Sequence, residues 1–368
     1  MEKAKWLSEL TFLRAIACVS IVLLHTIERA LLSSHYGDIS ISARVIWESF
    51  YMVLFYGTPT FIFLSEVLIA YLYKDKPLPK GFFKKRFLYL FLPYLALAMF
   101  YAWTKADGWS DFVWRSFMHA VIGDYHGYFV LIIFQFYGLH WLLKTWMSAQ
   151  KPYRIVGYAF VINVAYLAVF NFIPAPNIPH GEYIWERYYW VPFPGWLFYF
   201  VAGFYVGQSY DKVRSWIKMH YLKLLAAPLV TSVLVLVLVY TDVLTVASSK
   251  RVDMLLHSSA MVLGLLALAI VLPKAALKTE MISRYSFGIY LWHMYFLYAL
   301  NGSLEAIEHQ LPMSLYIVVL CVGAILLSMG SMKIINLLPG GATLTGQVKP
   351  STKNRTSSVA SPERKASI

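Results

Sequence analysis

The sequence LSELTFLRAIACVSIVLLHTI, residues 7–27, is long and apolar enough to cross a lipid bilayer as one helix. A spanning helix needs about 20 mostly apolar residues, each adding 1.5 Å. Arg14 and His25 interrupt this stretch, and their separation of 11 residues places them on one helix face, about 16.5 Å apart. Two interpretations stay open: a functional polar face, or an arginine that extends to the membrane surface and a histidine at the interface.

The composition of the whole chain is typical of a membrane protein. Of its 368 residues, 59% are hydrophobic and 14% are charged, and the mean hydropathy is +0.58. A soluble domain of this size is far less apolar, so we expect a multi-pass protein of the cell membrane. The two cysteines, Cys18 and Cys321, both lie in apolar segments, so neither a disulfide framework nor a metal site is expected.

Ten apolar segments predict an all-α polytopic integral membrane protein with about ten transmembrane helices. The segments are residues 7–27, 45–73, 87–103, 127–145, 155–172, 191–208, 222–240, 254–272, 286–300 and 314–338. We expect residues 1–338 to form one transmembrane domain. Residues 339–368 are polar, basic and rich in Gly, Ser and Thr, which predicts a disordered cytoplasmic tail.

The basic residues are distributed unevenly between alternate loops. Twenty-four lie in the termini and in one set of loops, whereas seven lie in the other set. The positive-inside rule therefore places both termini in the cytoplasm. This topology, together with contact between basic loops and anionic lipids, explains the formal net charge of +13, so no nucleic-acid partner is expected.

The fifth connection between predicted spans, residues 173–190, is predicted to lie outside the cell and is rich in aromatic and acidic residues. Its candidate substrate-binding residues are Glu182, Trp185, Glu186 and Tyr189. Aromatic rings cover the apolar faces of a sugar, and carboxylates accept hydrogen bonds from its hydroxyls. The alternative is the belt of aromatic residues found at any membrane interface.

Two further spans carry polar residues at membrane depth. Glu66 is predicted to lie at the same depth as Arg14, so the two are natural charge partners, unless Glu66 is protonated and only hydrogen-bonded. In the same span Pro59 is expected to break the helix, as helices that border a cavity often do. In the ninth span Ser286, Tyr290 and His293 share one face, which indicates either a functional site or polar contacts between helices.

Several motifs resemble those of the membrane-bound acyltransferase type 3 family. Arg14 and His25, separated by ten residues, resemble its signature. The other similar motifs are FIFLS at residues 61–65, KKRFLYLFLP at 84–93 and YSFGIYLWH at 285–293. The chain is most similar to the branch that includes the intercellular-adhesin polysaccharide protein of staphylococci, and the resemblance extends over residues 7–340. Glu66 departs from the pattern, since much of the family has a glycine there.

The resemblance implies transfer of an acyl group, acetyl or succinyl, from cytoplasmic acyl-coenzyme A to a hydroxyl of a cell-surface polysaccharide or glycan. His25 would be the catalytic base, because an imidazole titrates near neutral pH, and Arg14 would assist it. Fixed cations suit the phosphates of coenzyme A. The predicted cofactor-binding residues are Arg14, Lys84, Lys85, Arg86, Tyr290 and His293, with Ser65 and Glu66 in supporting positions.

Two other functions remain open from the residues. A polysaccharide exporter would also have many spans, a broken helix and buried charges. A binding subunit of a polysaccharide synthase would need no chemistry of its own. The spacing of Arg14 and His25 favours the acyltransferase, because acyl transfer needs both a base and a cation for the cofactor, and synthase subunits would then be partners.

Overall fold

The computed structural model describes residues 2–33, 36, 39–304 and 311–346, without the side chains of residues 2–7 and 275. Within these residues the chain is helical and contains no strand. The α-helices are α1 Glu2–Leu32, α2 Ile41–Val53, α3 Gly57–Leu72, α4 Phe82–Arg86, α5 Leu92–Lys105, α6 Trp109–Phe117, α7 Phe129–Ser148, α8 Pro152–Phe172, α9 Gly181–Trp190, α10 Leu197–Gln208, α11 Tyr210–Met219, α12 Tyr221–Tyr240, α13 Met254–Val271, α14 Pro273–Lys278, α15 Glu280–Leu304, α16 Met313–Ile335 and α17 Gly341–Leu344.

Eight helical segments of the described chain are long and apolar enough to cross a membrane, which confirms a polytopic all-α protein. They are Ser8–Leu32, Ile41–Leu72, Phe82–Lys105, Trp109–Ser148, Pro152–Phe172, Tyr221–Tyr240, Met254–Val271 and Met313–Ile335. The other two predicted spans correspond to α10 and α15. Neither helix is among the eight segments. Helix α10 has only 12 residues, and α15, although it has 25 residues, carries the polar stripe.

Helix α1 lies at the centre of the bundle, where it contacts α2, α3, α13, α15 and α16. It runs parallel to α15, because the Cys18 Sγ donates to the Ser286 carbonyl at 3.7 Å and the His25 and His293 rings lie 5.4 Å apart. Both contacts join positions 268 residues apart. The polar stripe of α15 therefore faces α1 in one constant register.

The second predicted span is interrupted, as Pro59 indicated. A 3₁₀ turn, Leu54–Tyr56, separates α2 from α3. Gly57 follows this turn, and a Cβ there would lie 2.5 Å from Ile21 and 3.3 Å from the Ala17 carbonyl. Only glycine lets α3 approach α1 so closely, and the Ser20 and Tyr56 hydroxyls are hydrogen-bonded 2.6 Å apart across the same contact.

The first residues of the predicted tail are ordered. Residues 339–346 include α17, and Gly341 and Thr345 are buried. The Thr345 hydroxyl donates to the Asn336 side chain at 2.6 Å, which ties this turn to the end of α16. The folded region therefore extends past residue 338, and residues 347–368 of the predicted tail lie outside the described residues.

Candidate active site

A cavity of about 710 Å³ opens at the C-terminal end of the predicted catalytic face of α1. We call it the His25 cavity. Its polar lining residues are His25, Glu28, Tyr51, Asp124, His126, Glu182, Glu186, Arg187, Ser248, Ser249, Lys250, Tyr290 and His293. Aromatic rings of Trp185, Tyr189 and Trp190 form another part of the wall. The cavity is therefore both polar and aromatic, as a sugar site would be.

His25 is held by a carboxylate one helical turn away. Its Nδ1 lies 3.0 Å from Glu28 Oε2, and the Tyr51 hydroxyl donates to Glu28 Oε1 at 3.1 Å. A carboxylate only accepts hydrogen bonds, so Nδ1 of His25 is the donor, and in the neutral form of the ring Nε2 is the acceptor. This arrangement fits a general base whose ring is oriented by a carboxylate.

Two more histidines adjoin His25. The ring centroids of His293 and His25 lie 5.4 Å apart, as do those of His126 and His293. His293 Nδ1 donates to the carbonyl of Tyr290 at 2.7 Å, and His126 Nε2 donates to that of Leu291 at 3.0 Å. The Nε2 of His293 is buried and has no hydrogen-bond partner among the described residues. His293 therefore offers the cavity region a second imidazole acceptor.

Tyr290 and His293 lie at the His25 cavity. They are predicted to bind the cofactor together with Arg14, and the structure places both among the lining residues of this cavity. The parallel register of α1 and α15 explains this, since His293 pairs with His25 and the α15 residue beside Cys18 is Ser286. The sequence shows the polar stripe but not its level along α1.

All four predicted substrate-binding residues, Glu182, Trp185, Glu186 and Tyr189, line the His25 cavity. Helix α9 carries them, and it is held against α8 where the Trp185 ring lies 4.6 Å from Phe170. Asn171 donates to the Tyr189 hydroxyl at 2.8 Å. Glu182 is exposed at the edge and Tyr189 is buried, so the set extends from solvent to the cavity wall.

A second cavity, of about 670 Å³, lies among loops that the charge distribution assigned to the cytoplasm. We call it the lysine cavity, since its lining residues include Lys74, Lys76, Lys80, Lys84 and Lys144. Lys144 is partly occupied, because it donates to the carbonyls of Tyr73 and Lys76. The other lysines leave a basic surface that suits phosphate groups.

The remaining predicted cofactor residues are distributed around this region. Lys84 lines the lysine cavity, and Lys85 is exposed next to it. The Arg86 guanidinium lies 5.2 Å from the Tyr137 ring, and Arg14 is close enough for its charge to interact with Arg86 and Tyr137. The structure thus brings Arg14 and Arg86 together, away from His25 along α1.

Known protein families include one that matches most of this chain. Residues 7–333 match the model of an acyltransferase domain. The chain belongs to the acyltransferase type 3 family. A Bacillus subtilis (strain 168) protein, provisionally named as membrane-bound acyltransferase YfiQ, is 35% identical over 298 residues, 79% of this chain and 81% of the relative.

Other relatives of this acyltransferase carry a different name. A Staphylococcus epidermidis protein is 28% identical over 331 residues, 88% of this chain and 90% of its own. A Staphylococcus aureus (strain MSSA476) protein is 25% identical over 327 residues, which are 86% of this chain and 91% of the relative. Both are provisionally named as poly-beta-1,6-N-acetyl-D-glucosamine export proteins. No solved structure is a significant match.

Glu66 of the acyltransferase does not pair with Arg14, so that prediction was wrong. Its Oε1 lies 2.6 Å from His140 Nδ1, and both side chains are buried. Among the described residues no ion pair joins it to Arg14. Equal depth in the membrane does not fix the direction in which a side chain points around its helix, and Glu66 points towards α7. Ser65, half-buried, precedes it.

Several residues that the acyltransferase brings to the His25 cavity were not predicted from the sequence. Glu28 is three residues after His25, on the same face, and that spacing could have identified it. Tyr51, His126 and Lys250 come from distant segments, so only the fold brings them together. No cluster of three or more metal-ligand side chains occurs within the described residues.

Proposed function

We propose that this acyltransferase moves an acetyl or succinyl group from acyl-coenzyme A to a hydroxyl of a cell-surface glycan. The observation that carries the proposal is the His25–Glu28 pair at the wall of a cavity rich in aromatic rings and carboxylates. A sugar hydroxyl is a weak nucleophile, so its attack on a thioester needs a base with a pKa near neutrality.

His25 Nε2 would take the hydroxyl proton while the hydroxyl oxygen forms a bond to the acyl carbon. The bond from that carbon to sulfur then breaks, the sulfur leaves as a thiolate, and the imidazolium of His25 returns the proton. Glu28 stabilises the imidazolium between these two events, because its carboxylate accepts from Nδ1 at 3.0 Å. Trp185 and Tyr189 would pack against the sugar face and Glu186 would accept from its hydroxyls.

The lysine cavity supports acyl-coenzyme A as the donor. Four of its lysines, Lys74, Lys76, Lys80 and Lys84, are exposed, so their ammonium groups could reach phosphates. Arg14 and Arg86 lie between this region and His25 in the proposed path of the acyl group. Replacing Lys74, Lys76 and Lys80 by glutamine is expected to raise the KM for acyl-coenzyme A, by roughly threefold to 150-fold at about 0.2–1 kcal/mol per exposed charge.

The matched control for those lysines is a pair on α11, Lys212 and Lys218, which the charge count assigns to the same side of the membrane. Replacing them by glutamine should leave the KM unchanged. Equal increases of the KM in both sets would contradict a specific donor site, since they would report only the general surface charge.

The topology of the proposal places the lysine cavity in the cytoplasm and the His25 cavity outside. Each cavity is lined by loops from one predicted side only, which supports the alternation of the spans. Single cysteines at positions 80 and 365 should resist a membrane-impermeant reagent in intact cells, whereas one at position 185 should react. Labelling of position 80 from outside would reverse the assignment.

The experiment that tests the activity uses the purified protein in lipid nanodiscs with radiolabelled acetyl- or succinyl-coenzyme A, with and without poly-N-acetylglucosamine. Wild type should label the glycan, and His25→Ala should not. His220→Ala provides the control, because that histidine bonds only its own helix at an exposed position. Transfer by His25→Ala at the wild-type rate would remove the proposed base.

A second candidate, glycan export, is favoured by the names of the staphylococcal relatives. The two functions separate in cells that produce the polysaccharide. Loss of surface acylation with normal amounts of surface polysaccharide in the His25→Ala strain supports acyl transfer. Loss of surface polysaccharide itself in that strain, without any change in acylation of the remainder, supports export.

A further inference from the structure

A lysine that the proposed reaction does not use lies in a cage of aromatic rings at the wall of the His25 cavity. Lys250 is 4% exposed, and its Nζ is 4.5 Å from the Trp190 ring centroid. The ring centroids of Tyr128, Tyr189 and Trp196 lie 5.5 to 5.6 Å away. Each ring attracts an ammonium through the negative face of its π-system.

The backbone around Lys250 is fixed. Its amide donates to the Ser248 hydroxyl at 3.2 Å, and its carbonyl accepts from Asn171 at 3.4 Å. The Asn171 side chain also accepts from the Val252 amide at 3.0 Å, so α8 holds both sides of the loop. The ammonium is therefore placed in the cage by the fold and not by chance contact of a surface side chain.

The other fixed cation of the cavity is already neutralised. Arg187 lies 3.3 Å from Asp124 and 3.2 Å from Glu186. Among the described lining residues, Lys250 is the one lysine or arginine with no carboxylate within 4.0 Å. Burial lowers the pKa of Lys250 to about 7, which is the expected result of desolvation without a counter-ion.

We propose that Lys250 recognises an anionic oxygen group, a carboxylate or a phosphate, on the ligand of the His25 cavity. Aromatic faces attract the charge of an ammonium, but they give its three N–H donors no oxygen to bond. An anionic oxygen would supply both the acceptor and the missing counter-charge, in a site from which the rings exclude water. The anion belongs either to the acyl group or to the acceptor sugar.

The inference rests on the proposed function only for the identity of the ligand. A binding experiment, in which no acyl group is transferred, therefore tests it. Tryptophan fluorescence of the protein in nanodiscs, to which Trp190 and Trp196 contribute, reports titration with N-acetylglucosamine 6-phosphate, glucuronate or neutral N-acetylglucosamine. Wild type should bind at least one anionic sugar about tenfold more tightly than the neutral one. Lys250→Met should lose this preference and retain the affinity for the neutral sugar.

Lys105→Met is the matched control, because Lys105 is exposed at the end of α5 and is not among the lining residues of the cavity. It should retain the preference. If Lys250→Met does not accumulate as folded protein, Lys250→Gln removes the same charge and gives the same test. A wild type without preference, or a neutral variant at position 250 that keeps it, overturns the inference.

Transfer assays then identify the source of the anion. If Lys250→Met slows succinyl transfer to a neutral glycan but not acetyl transfer, the anion is on the acyl group. If it slows acetyl transfer to an acidic glycan but not to a neutral one, the anion is on the acceptor. Absence of any transfer in wild type would refute the proposed function, whereas the binding preference would still establish an anion site at Lys250.

Discussion

The two cavities of this acyltransferase each adjoin a glutamate–histidine pair, and the pairs differ in access. At the His25 cavity the side chains of His25 and Glu28 are 26% and 38% exposed, with 3.0 Å between Nδ1 and Oε2. At the lysine cavity His140 and Glu66 are 0% and 2% exposed, with 2.6 Å between the corresponding atoms. The same two functional groups are thus presented to a ligand in one place and enclosed by helices in the other.

Accessibility, and not residue type, distinguishes the pair to which the proposed function assigns proton transfer from the pair that joins two helices. Glu66 and His140 join α3 to α7, and the His140 ring also packs edge-on against Phe204 of α10, 5.9 Å away. Glu28 and His25 belong to one helix, so the bond between them does not itself connect two helices. We therefore assign proton transfer to the exposed pair and helix association to the buried pair.

The largest expected effect is the difference between replacing His25 and replacing His140. His25→Ala should lower the rate of acyl transfer by about 10²–10⁴-fold, the usual cost of losing a general base, while the melting temperature stays near that of wild type. His140→Ala should lower the melting temperature, since it leaves a carboxyl group buried without its partner. A stable His140→Ala protein whose transfer rate falls as much as that of His25→Ala would contradict the separate roles assigned to the two pairs.

The next effect concerns the stability of the buried pair. Removing one partner of a buried pair costs about 3–5 kcal/mol, whereas replacing both by apolar groups can be nearly neutral. Glu66→Leu and His140→Leu should each destabilise the protein strongly, and the double variant should be closer to wild type than either. Denaturation of the four proteins in one detergent gives the coupling energy, and strictly additive losses would show that the two side chains do not depend on each other.

A smaller effect is expected from the carboxylate of the exposed pair. Glu28→Gln keeps the shape of the side chain but removes the charge that stabilises the His25 imidazolium, so the transfer rate should fall roughly 10²-fold. The KM values should change little. Steady-state kinetics of the purified variant provide the check. An unchanged transfer rate would indicate that Glu28 plays no part in proton transfer.

The smallest effect concerns stability and pH at Lys250. Its pKa is lowered from 10.5 to about 7, so between these values the unfolded chain holds more protons and stability should rise with pH. Burial is the main cause, with Glu186 opposing it, Arg187 adding to it, and the rings of Tyr128 and Tyr189 packed beside the amine. Lys250→Met should therefore raise the melting temperature by a few degrees at pH 7.

That gain should shrink towards pH 10.5 and vanish well above it, where the lysine is neutral in both states. Melting temperatures of wild type and Lys250→Met across this range, with Lys105→Met as a reference for surface lysines, measure the difference. A gain that is equal at all pH values would mean that the amine contributes nothing through its charge.

Much of the architecture follows from the sequence, because apolar stretches at membrane length identify spanning helices whatever their neighbours. The positions of Arg14 and His25 along α1 also follow from helix geometry alone. The break before Gly57 was predictable from Pro59, since a proline removes a backbone donor. The loop cluster of Glu182, Trp185, Glu186 and Tyr189 stood out by composition, and the fold does bring it to the His25 cavity.

The errors concern relations between helices. The pairing of Arg14 with Glu66 failed because depth says nothing about rotation around a helix axis, and His140 was the partner. Tyr290 and His293, which are predicted to bind the cofactor, line the His25 cavity, and their level along α1 depends on packing between two parallel helices that no single segment encodes. Lys250 could not be found, because the four rings around it come from three separate elements of the fold.

The two cavities share none of their described lining residues. This separation matters because a cell stores energy as ion gradients across its membrane. A membrane that maintains an ion gradient tolerates no continuous aqueous path through its proteins. On α1, which reaches the His25 cavity, Leu13, Ala17 and Val22 are fully buried, and apolar side chains conduct neither protons nor sodium. An enzyme built in this way could use a donor on one side and an acceptor on the other while the membrane stays electrically sealed.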